Sequence, residues 1–345
     1  MIDTKNSLHL RSNSLWMKPS TTIFEISKLL KLSPSTVSRA LKNHQDISDV
    51  TKQRVLELAE KLDYEPNTYA VGLRTNHSHT LGVIVPTISG FFYDSFISSI
   101  EEEARKNRYA LFILQSSDDP DQEIENIKLC KQNRVAGVFA CLTTFTEDIS
   151  EFQKLKEKEV PVIFFDKVPL QDNCNKVCLD DANAASLAAN MLKKKNMKRV
   201  LSMFGDAHLS ITQKRLEAYH KAFKETSTAI LLTHVANAEE SRSKTHEVFL
   251  SSSTPDAIFC MSDEILIGVM KALEQLKLKV PQDVSVIAIS NGFFPKLYWP
   301  EITYIETSGY KLGKLAFTRM MNYLEGDTID QELIVESILI DGGSI

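Results

Sequence analysis

From Leu81 onward, short apolar runs alternate with stretches of helical periodicity, and this restricts the fold more than any other feature of the chain. Leu81–Val85, Leu111–Leu114, Ala136–Ala140 and Val160–Phe165 read as strands, with helices at Phe96–Ala104 and Gln122–Cys130 and another before Val160. A second series follows: helix Ala184–Lys193, strand Arg199–Phe204, helix Gln213–Phe223, strand Ala229–Leu232, helix Glu239–Leu250 and strand Ala257–Met261. Helix Ile265–Leu276, strand Val284–Ile289, helix Tyr310–Tyr323 and strand Leu333–Leu339 close it. Strands that do not alternate polar with apolar residues are buried on both faces, and strands separated by helices pair in parallel. About 265 residues is long for one such sheet, so two α/β lobes with a cleft between them are expected. Ligands bind such sheets beyond the carboxyl ends of the strands.

The residues before Leu81 follow a different pattern. Residues 1–19 are polar and patternless and read as a disordered tail, with Met17 as an alternative start. Thr22-Ile23-Phe24-Glu25 is a capping box that opens a helix, and Ile23, Ile26, Leu29 and Leu30 recur at helical spacing. Lys31-Leu32-Ser33 connects tightly to a second helix, which Ser33 caps and Pro34 begins. There Val37, Ala40 and Leu41 share a buried face, leaving Ser35, Thr36, Ser38 and Arg39 off it. Such a helix can lie in a DNA major groove, although the same nine residues also suit an ordinary amphipathic surface helix. Ser48 caps a third helix, with Val55, Leu58, Ala59 and Leu62 as its stripe. Residues 20–65 thus read as a helix-turn-helix domain. Pro66 breaks the third helix, and residues 66–80 read as a short, Gly-interrupted helix and linker that fold only against a partner.

Charge and composition narrow the function. The chain carries a net charge of −5, but residues 18–75 hold nine Lys/Arg against seven Asp/Glu. Five scattered cysteines without a Cys-x-x-Cys argue for free thiols in a reducing cytoplasm. There is no membrane-length apolar run and no signal-peptide core, so a cytoplasmic protein without a membrane partner is expected. Phosphate-loop, dinucleotide, nucleophile-elbow and zinc-protease motifs are all missing, so no enzyme, catalytic residue, cofactor or metal is expected. Asp180-Asp181 could bind a cation but reads better as a strand end entering the helix at Ala184.

Here the chain resembles the LacI/GalR family of bacterial transcription regulators, from about Thr21 to about Tyr323. The resemblance rests on Leu32-Ser-Pro-Ser-Thr-Val-Ser-Arg-Ala-Leu41, Ile47-Ser48-Asp49-x-Thr51-x-x-Arg54-Val55 and Tyr64-x-Pro66-Asn67. It rests also on Arg215-x-x-x-Tyr219, Asp256-Ala257-Ile258-Phe259 with Asp263-Glu264 and Gly268, and Val280–Ile287. It implies an N-terminal all-α helix-turn-helix domain plus hinge helix, then a two-lobed α/β effector domain (81–345) of the type I periplasmic-binding-protein kind, crossed three times by the chain, with the first lobe about 81–181 and 292–324 and the second about 182–291 and 325–345. The implied partners are a pseudo-palindromic double-stranded DNA operator, a small-molecule effector such as a sugar or its derivative, and a second copy, as a homodimer or a tetramer. The implied DNA-binding residues are Arg39 on phosphate or guanine, Ser35 and Thr36 on base edges or phosphates, and Thr22 and Asn67 on the DNA backbone. Ser33 and Ser38 complete that set, and Leu73 wedges into the minor groove. The implied effector residues are Phe92, Tyr93, Asp166, Lys167 and Arg215, with Ser290 and Asn291 where many relatives have an aspartate for sugar hydroxyls. Ala218 replaces a usual Gly. Val71-Gly72 replaces the commoner Arg-Ser, lowering helix propensity by about 1 kcal/mol at the Gly and making the hinge helix more dependent on DNA. The expectation is a dimeric, effector-controlled regulator, most simply a repressor; the rival is a small-molecule sensor that does not touch DNA.

Overall fold

A computed structural model describes residues 21–64, 78–171, 173–251 and 254–345. The chain falls into two compact units, Met1–His77 and Ser78–Ile345. The expected tail, hinge helix and most of the linker lie outside the described residues.

The first unit holds α1 (Ile23–Leu30), α2 (Pro34–Leu41) and α3 (Asp49–Lys61). Each begins where a side chain satisfies the free amides of a helix start. Thr22 Oγ1 accepts from Glu25 N at 3.3 Å, and Glu25 returns an acceptor to Thr22 N at 2.7 Å, completing the capping box. Ser33 and Ser48 accept from Thr36 N and Thr51 N at 3.1 and 3.4 Å. Lys31, at φ 53°, ends α1 in the left-handed region and turns the chain into α2. Ile26, Val37, Ala40, Val55 and Ala59 form the buried core. Ser38 corrects an expectation: it was placed off the buried face and is only 8% exposed. It sits roughly 100° round from Val37, on the flank beside Leu41, within the arc the other helices cover.

The second unit holds two six-stranded sheets. The first is built from β1 (Thr80–Val85), β2 (Ala110–Gln115), β3 (Gly137–Ala140), β4 (Val162–Phe165), β5 (Asn175–Leu179) and β11 (Glu332–Val335). Its order is β11-β5-β4-β3-β1-β2, parallel throughout. The second is built from β6 (Arg199–Phe204), β7 (Ala229–His234), β8 (Ala257–Cys260), β9 (Ser285–Ser290), β10 (Thr303–Glu306) and β12 (Ile338–Ile340). Its order is β12-β10-β9-β8-β6-β7, with only β12 antiparallel. The helices are α4 (Phe91–Lys106), α5 (Pro120–Gln132), α6 (Ser150–Lys156), α7 (Asp181–Lys194), α8 (Ser210–Phe223), α9 (Ala238–Phe249), α10 (Asp263–Gln275) and α11 (Gly309–Leu324).

Two glycines mark close helix packing. A Cβ on Gly313 of α11 would lie 2.8 Å from Ser99 Cβ of α4, and one on Gly268 of α10 would lie 2.0 Å from the Ala238 carbonyl of α9. Only a bare backbone fits there.

The expected lobe boundaries need correction. β10 pairs with β9 in the second sheet and β11 with β5 in the first, whereas 292–324 had been given to the first lobe and 325–345 to the second. The strand expected over Leu333–Leu339 is two strands in different sheets, broken at Glu336-Ser337. β5 was foreseen only by its end at Asp180-Asp181, because Asn175 and Lys176 hide the rest of it as a strand, yet all five of its residues are buried. The chain crosses between lobes at Leu179–Asp181, Glu306–Gly309 and Val335–Ile338, three times as the resemblance implied. The first and third crossings lie side by side: Asp180 N donates to the Val335 carbonyl at 3.1 Å and Ser337 Oγ to the Asp180 carbonyl at 3.2 Å.

Candidate functional site

On α2, Ser35 and Arg39 are exposed and Thr36 is half-buried. The Ser33 hydroxyl is spent as the cap and lies 2.7 and 2.8 Å from the Ser35 and Thr36 hydroxyls, which ties the three into one cluster at the helix start. Arg39 makes only a loose pair with Asp46, at 3.9 Å, so its guanidinium is available. Thr22 is exposed at the start of α1, with exposed Phe24 beside it, an aromatic that the pattern of apolar residues had not marked as functional. Asn67 and Leu73 lie outside the described residues.

In the second unit the carboxyl ends of β6, β8 and β9 face those of β1, β3 and β4 across a cleft, and Asn291 joins the two sides. It follows β9 in the second lobe, yet its Oδ1 accepts from Gly309 N, the first residue of α11, at 2.8 Å. Its Nδ2 donates to the Phe91 carbonyl of α4 at 3.4 Å. The Phe91 ring also meets Phe294, past the end of β9, edge-on at 4.3 Å.

On the first-lobe wall, Asp166 follows β4 with φ 59°, an unfavourable backbone of the kind often found at binding sites. Its Oδ2 accepts from the Tyr93 hydroxyl at 3.0 Å, with the Cys141 thiol 3.8 Å away. Burial raises the Asp166 pKa, and the Asp181 charge of the other lobe adds to this, while Tyr93, Lys167 and Arg215 oppose it. Burial likewise raises the Tyr93 phenol and the Cys141 thiol, so the thiol stays protonated. Lys167 does not point freely into the cleft. Its ammonium donates to Asp118 at 3.1 Å and to Thr144 Oγ1 at 2.9 Å, pinning two loops together. Burial pushes the Asp118 carboxyl up, but the bonds from Thr144 and the charge of Lys167 outweigh it and hold the pKa below the ordinary value. Phe92 packs on the first-lobe core against the start of α11, with its ring edge-on to Tyr93 at 5.7 Å.

On the second-lobe wall, Arg215 is buried. Its Nε and Nη2 donate to Asp181 Oδ1 at 2.9 and 2.7 Å, and its Nη1 donates to the Met261 carbonyl at 2.9 Å. Asp180 caps α7, accepting from Asn183 N at 3.3 Å, so the acidic pair is a helix entry as expected, but Asp181 also neutralises Arg215. Ser290 is buried and donates to Asp263 Oδ1, while Asp263 Oδ2 accepts from Asn291 N at 2.9 Å. A carboxylate therefore does stand at the end of β9, supplied by α10. It is spent on shaping the Ser290–Gly292 turn, and its pKa is raised by burial. Sequence reasoning missed Asp118, Thr144, Phe91 and Phe294, each of which acts through a partner distant in the chain, and it named Asp263 only as part of the Asp263-Glu264 motif, without its role at Ser290.

Tyr93, Asp166, Lys167, Arg215, Ser290 and Asn291 do gather at one cleft. It carries hydrogen-bonding groups from both lobes, which suits a small polyhydroxylated ligand. Among the described residues no group of three or more His, Cys, Asp or Glu could hold a metal, and no helix is long and apolar enough to cross a membrane.

Residues 78–340 match the model of the periplasmic binding proteins and sugar-binding domain of the LacI family, and residues 22–67 match that of the bacterial regulatory proteins of the lacI family. Catabolite control protein A of Staphylococcus epidermidis is 26% identical over 317 residues, covering 91% of this chain and 95% of that protein. The crystal structure of the Lac repressor dimer bound to operator and the anti-inducer ONPF matches with a TM-score of 0.84 at 18% identity, over 94% of this chain and 98% of that one. A periplasmic binding protein/LacI transcriptional regulator from Alkaliphilus metalliredigens, solved with D-xylulofuranose, matches with a TM-score of 0.67 at 25% identity, over 78% of this chain and 100% of that one.

Proposed function

The chain belongs to the LacI family of bacterial regulatory proteins and is a DNA-binding transcription regulator with an effector-binding domain, and from that premise we propose that it is a homodimeric repressor working in the cytoplasm. One observation carries the reading. A helix-turn-helix unit presenting Ser35, Thr36 and Arg39 is continuous with a two-lobed unit whose walls carry opposed polar groups. The first feature answers to an operator and the second to a small molecule such as a sugar. The relatives are regulators rather than enzymes.

The mechanism is a coupling between two binding events. An effector that touches both walls changes the balance between open and closed lobes. The three crossings turn that change into a displacement of the first lobe, whose strand β1 opens the chain beyond the linker. Two such displacements in a dimer alter the spacing of the paired DNA-reading units. In this reading Arg39, Ser35, Thr36, Thr22 and Asn67 hold the operator, and Leu73 wedges into its centre.

Fluorescence anisotropy with genomic fragments tests this at physiological salt. A specific site should emerge with affinity at least about a thousandfold above nonspecific DNA. Leu73→Ala should weaken that site well beyond its effect on nonspecific DNA. Equal affinity for all fragments would overturn the DNA reading and leave the rival, a sensor that does not touch DNA.

A further inference from the structure

We propose that Asp46 sets the selectivity of the DNA-reading helix: its carboxylate, in the loop after α2, penalises contacts between Arg39 and DNA phosphates while leaving Arg39 able to fork onto a guanine edge. The proposal rests on Arg39 meeting DNA, and it adds the residue that decides what Arg39 prefers there.

Residues 42–47 fold back along the last turn of α2. Asn43, at φ 53°, turns the chain, and the amides of Asn43 and His44 donate to the Ala40 and Arg39 carbonyls, both at 3.0 Å. Ile47 N donates to the His44 carbonyl at 3.2 Å, and the Ile47 side chain packs on the core of the first unit. These fixed points set Asp46 beside the reading face. Its Oδ2 lies 3.9 Å from Arg39 Nη1 and 3.3 Å from His44 Nδ1. The Arg39 and Asp46 side chains are 53 and 63% exposed, so DNA that reaches one meets the other.

A carboxylate on a surface that meets a polyanion opposes binding, and by how much depends on what Arg39 touches. A phosphate carries a full charge. Asp46 then competes with it for the guanidinium and also repels it, at a separation well inside the roughly 8 Å over which physiological salt screens. A guanine edge offers two uncharged acceptors and takes two of the five N–H donors of the guanidinium. Another edge stays free for Asp46, which then steadies the planar group instead of competing for it. The carboxylate therefore weakens binding to DNA at large more than binding to a site with guanine in the right place. Specificity is gained by penalising the wrong partner.

His44 makes this restraint respond to pH. Asp46 N donates to His44 Nδ1 at 3.5 Å, which requires that nitrogen to be unprotonated. Once protonated, the same nitrogen becomes a donor toward Asp46 Oδ2 and competes with Arg39 for it. Among the described residues no other cation pairs with Asp46. Arg39 is the one charge on α2, the loop adds Lys42, and at the start of α3 Lys52 pairs with Asp49 at 3.4 Å.

Selection of a randomised duplex pool with the full chain supplies a preferred duplex, and fluorescence anisotropy then measures it beside a scrambled duplex of the same composition. Asp46→Asn should bind the scrambled duplex about three- to tenfold more tightly and steepen its salt dependence by about one phosphate contact, while the preferred duplex gains less than about twofold. Lowering the pH from about 7.5 to about 6 should narrow the gap between the two duplexes for the wild type, and Asp46→Asn and His44→Gln should each lose that narrowing. Arg39→Ala, put through the same selection, should relax the preference at a G·C pair. Equal gains on both duplexes for Asp46→Asn, or no gain on either, overturn the proposal and leave the regulator reading intact. So does a pH response that survives in His44→Gln, or an unchanged selected sequence for Arg39→Ala. A pool from which no preferred duplex emerges overturns the regulator reading along with the proposal.

Discussion

Arg215 reaches Asp181 through two nitrogens, at 2.9 and 2.7 Å, and both side chains are buried in the wall of the cleft. A buried pair of this kind gains little over an apolar substitute, but removing one member strands the other charge. Asp181→Ala should therefore cost about 3–5 kcal/mol of unfolding free energy. The double substitution Asp181→Leu with Arg215→Met should recover much of it. Urea denaturation of the wild type, Asp181→Leu, Arg215→Met and the double variant gives the coupling, and losses that simply add would show that the pair is not a unit.

Asn291 should hold the lobes in register. Its carboxamide oxygen is a partner of Gly309 N across the cleft, so Asn291→Ala leaves that amide to solvent. The expected loss is about 1 kcal/mol, with faster hydrogen exchange at Gly309 and the start of α4. Unchanged exchange there would mean that the Phe91–Phe294 ring contact alone closes the mouth.

Arg39 and Ser38 adjoin in sequence but should behave oppositely toward DNA. Arg39 is exposed and only loosely paired, while Ser38 is buried. Arg39→Ala should weaken binding and lower the salt dependence of affinity by about one phosphate contact. Ser38→Ala should leave the salt slope unchanged. A larger effect of Ser38 on operator choice would restore it to the reading face.

Gly268→Ala tests the α9–α10 contact. The added carbon would stand 1.9 Å from Ser241 Oγ and 2.0 Å from the Ala238 carbonyl, so one helix must move. Overpacking of this kind costs about 1–3 kcal/mol, and thermal unfolding of the variant should show it.

The pH dependence follows from Asp166. Burial raises its folded-state pKa above the unfolded value, with the Asp181 charge adding to the effect. The folded protein then binds this proton more tightly than the unfolded chain. That contribution is fully present below the unfolded pKa and is lost as pH rises through the folded one. At neutral pH the charge is a burden, so Asp166→Asn should raise Tm by about 1–3 °C at pH 7.5, with the gain shrinking toward pH 4. A constant gain at all pH values would point to packing rather than ionisation.

The parts of the chain that were legible in the sequence are those governed by neighbours. All three helix starts of the first unit, at Thr22, Ser33 and Ser48, use the hydroxyls that the spacing named, because a cap is made within three residues. The apolar strands β1, β6, β8 and β9 stand within a residue or two of where their runs predicted them. Three others were missed or only partly drawn: β10 was not predicted, β5 was marked only by its end, and β11 was merged with β12. β5, β10 and β11 owe their places to parallel partners more than a dozen residues away, and no local pattern records that.

The candidate site divides the same way. The residues brought to the cleft were named from motifs, but what they do there was not. Lys167 binds Asp118 instead of facing the cleft freely, Arg215 is neutralised by Asp181, and the carboxylate missing at Ser290-Asn291 is replaced by Asp263 from a different helix. The sequence by itself determined the helix caps of the first unit and the apolar strands of the second, since periodicity and capping act over a few residues. Tertiary structure alone decided which strand joined which lobe and which charges were already paired. Those outcomes depend on groups distant in the chain meeting at a few ångströms, where burial and the choice of hydrogen-bond partner are settled.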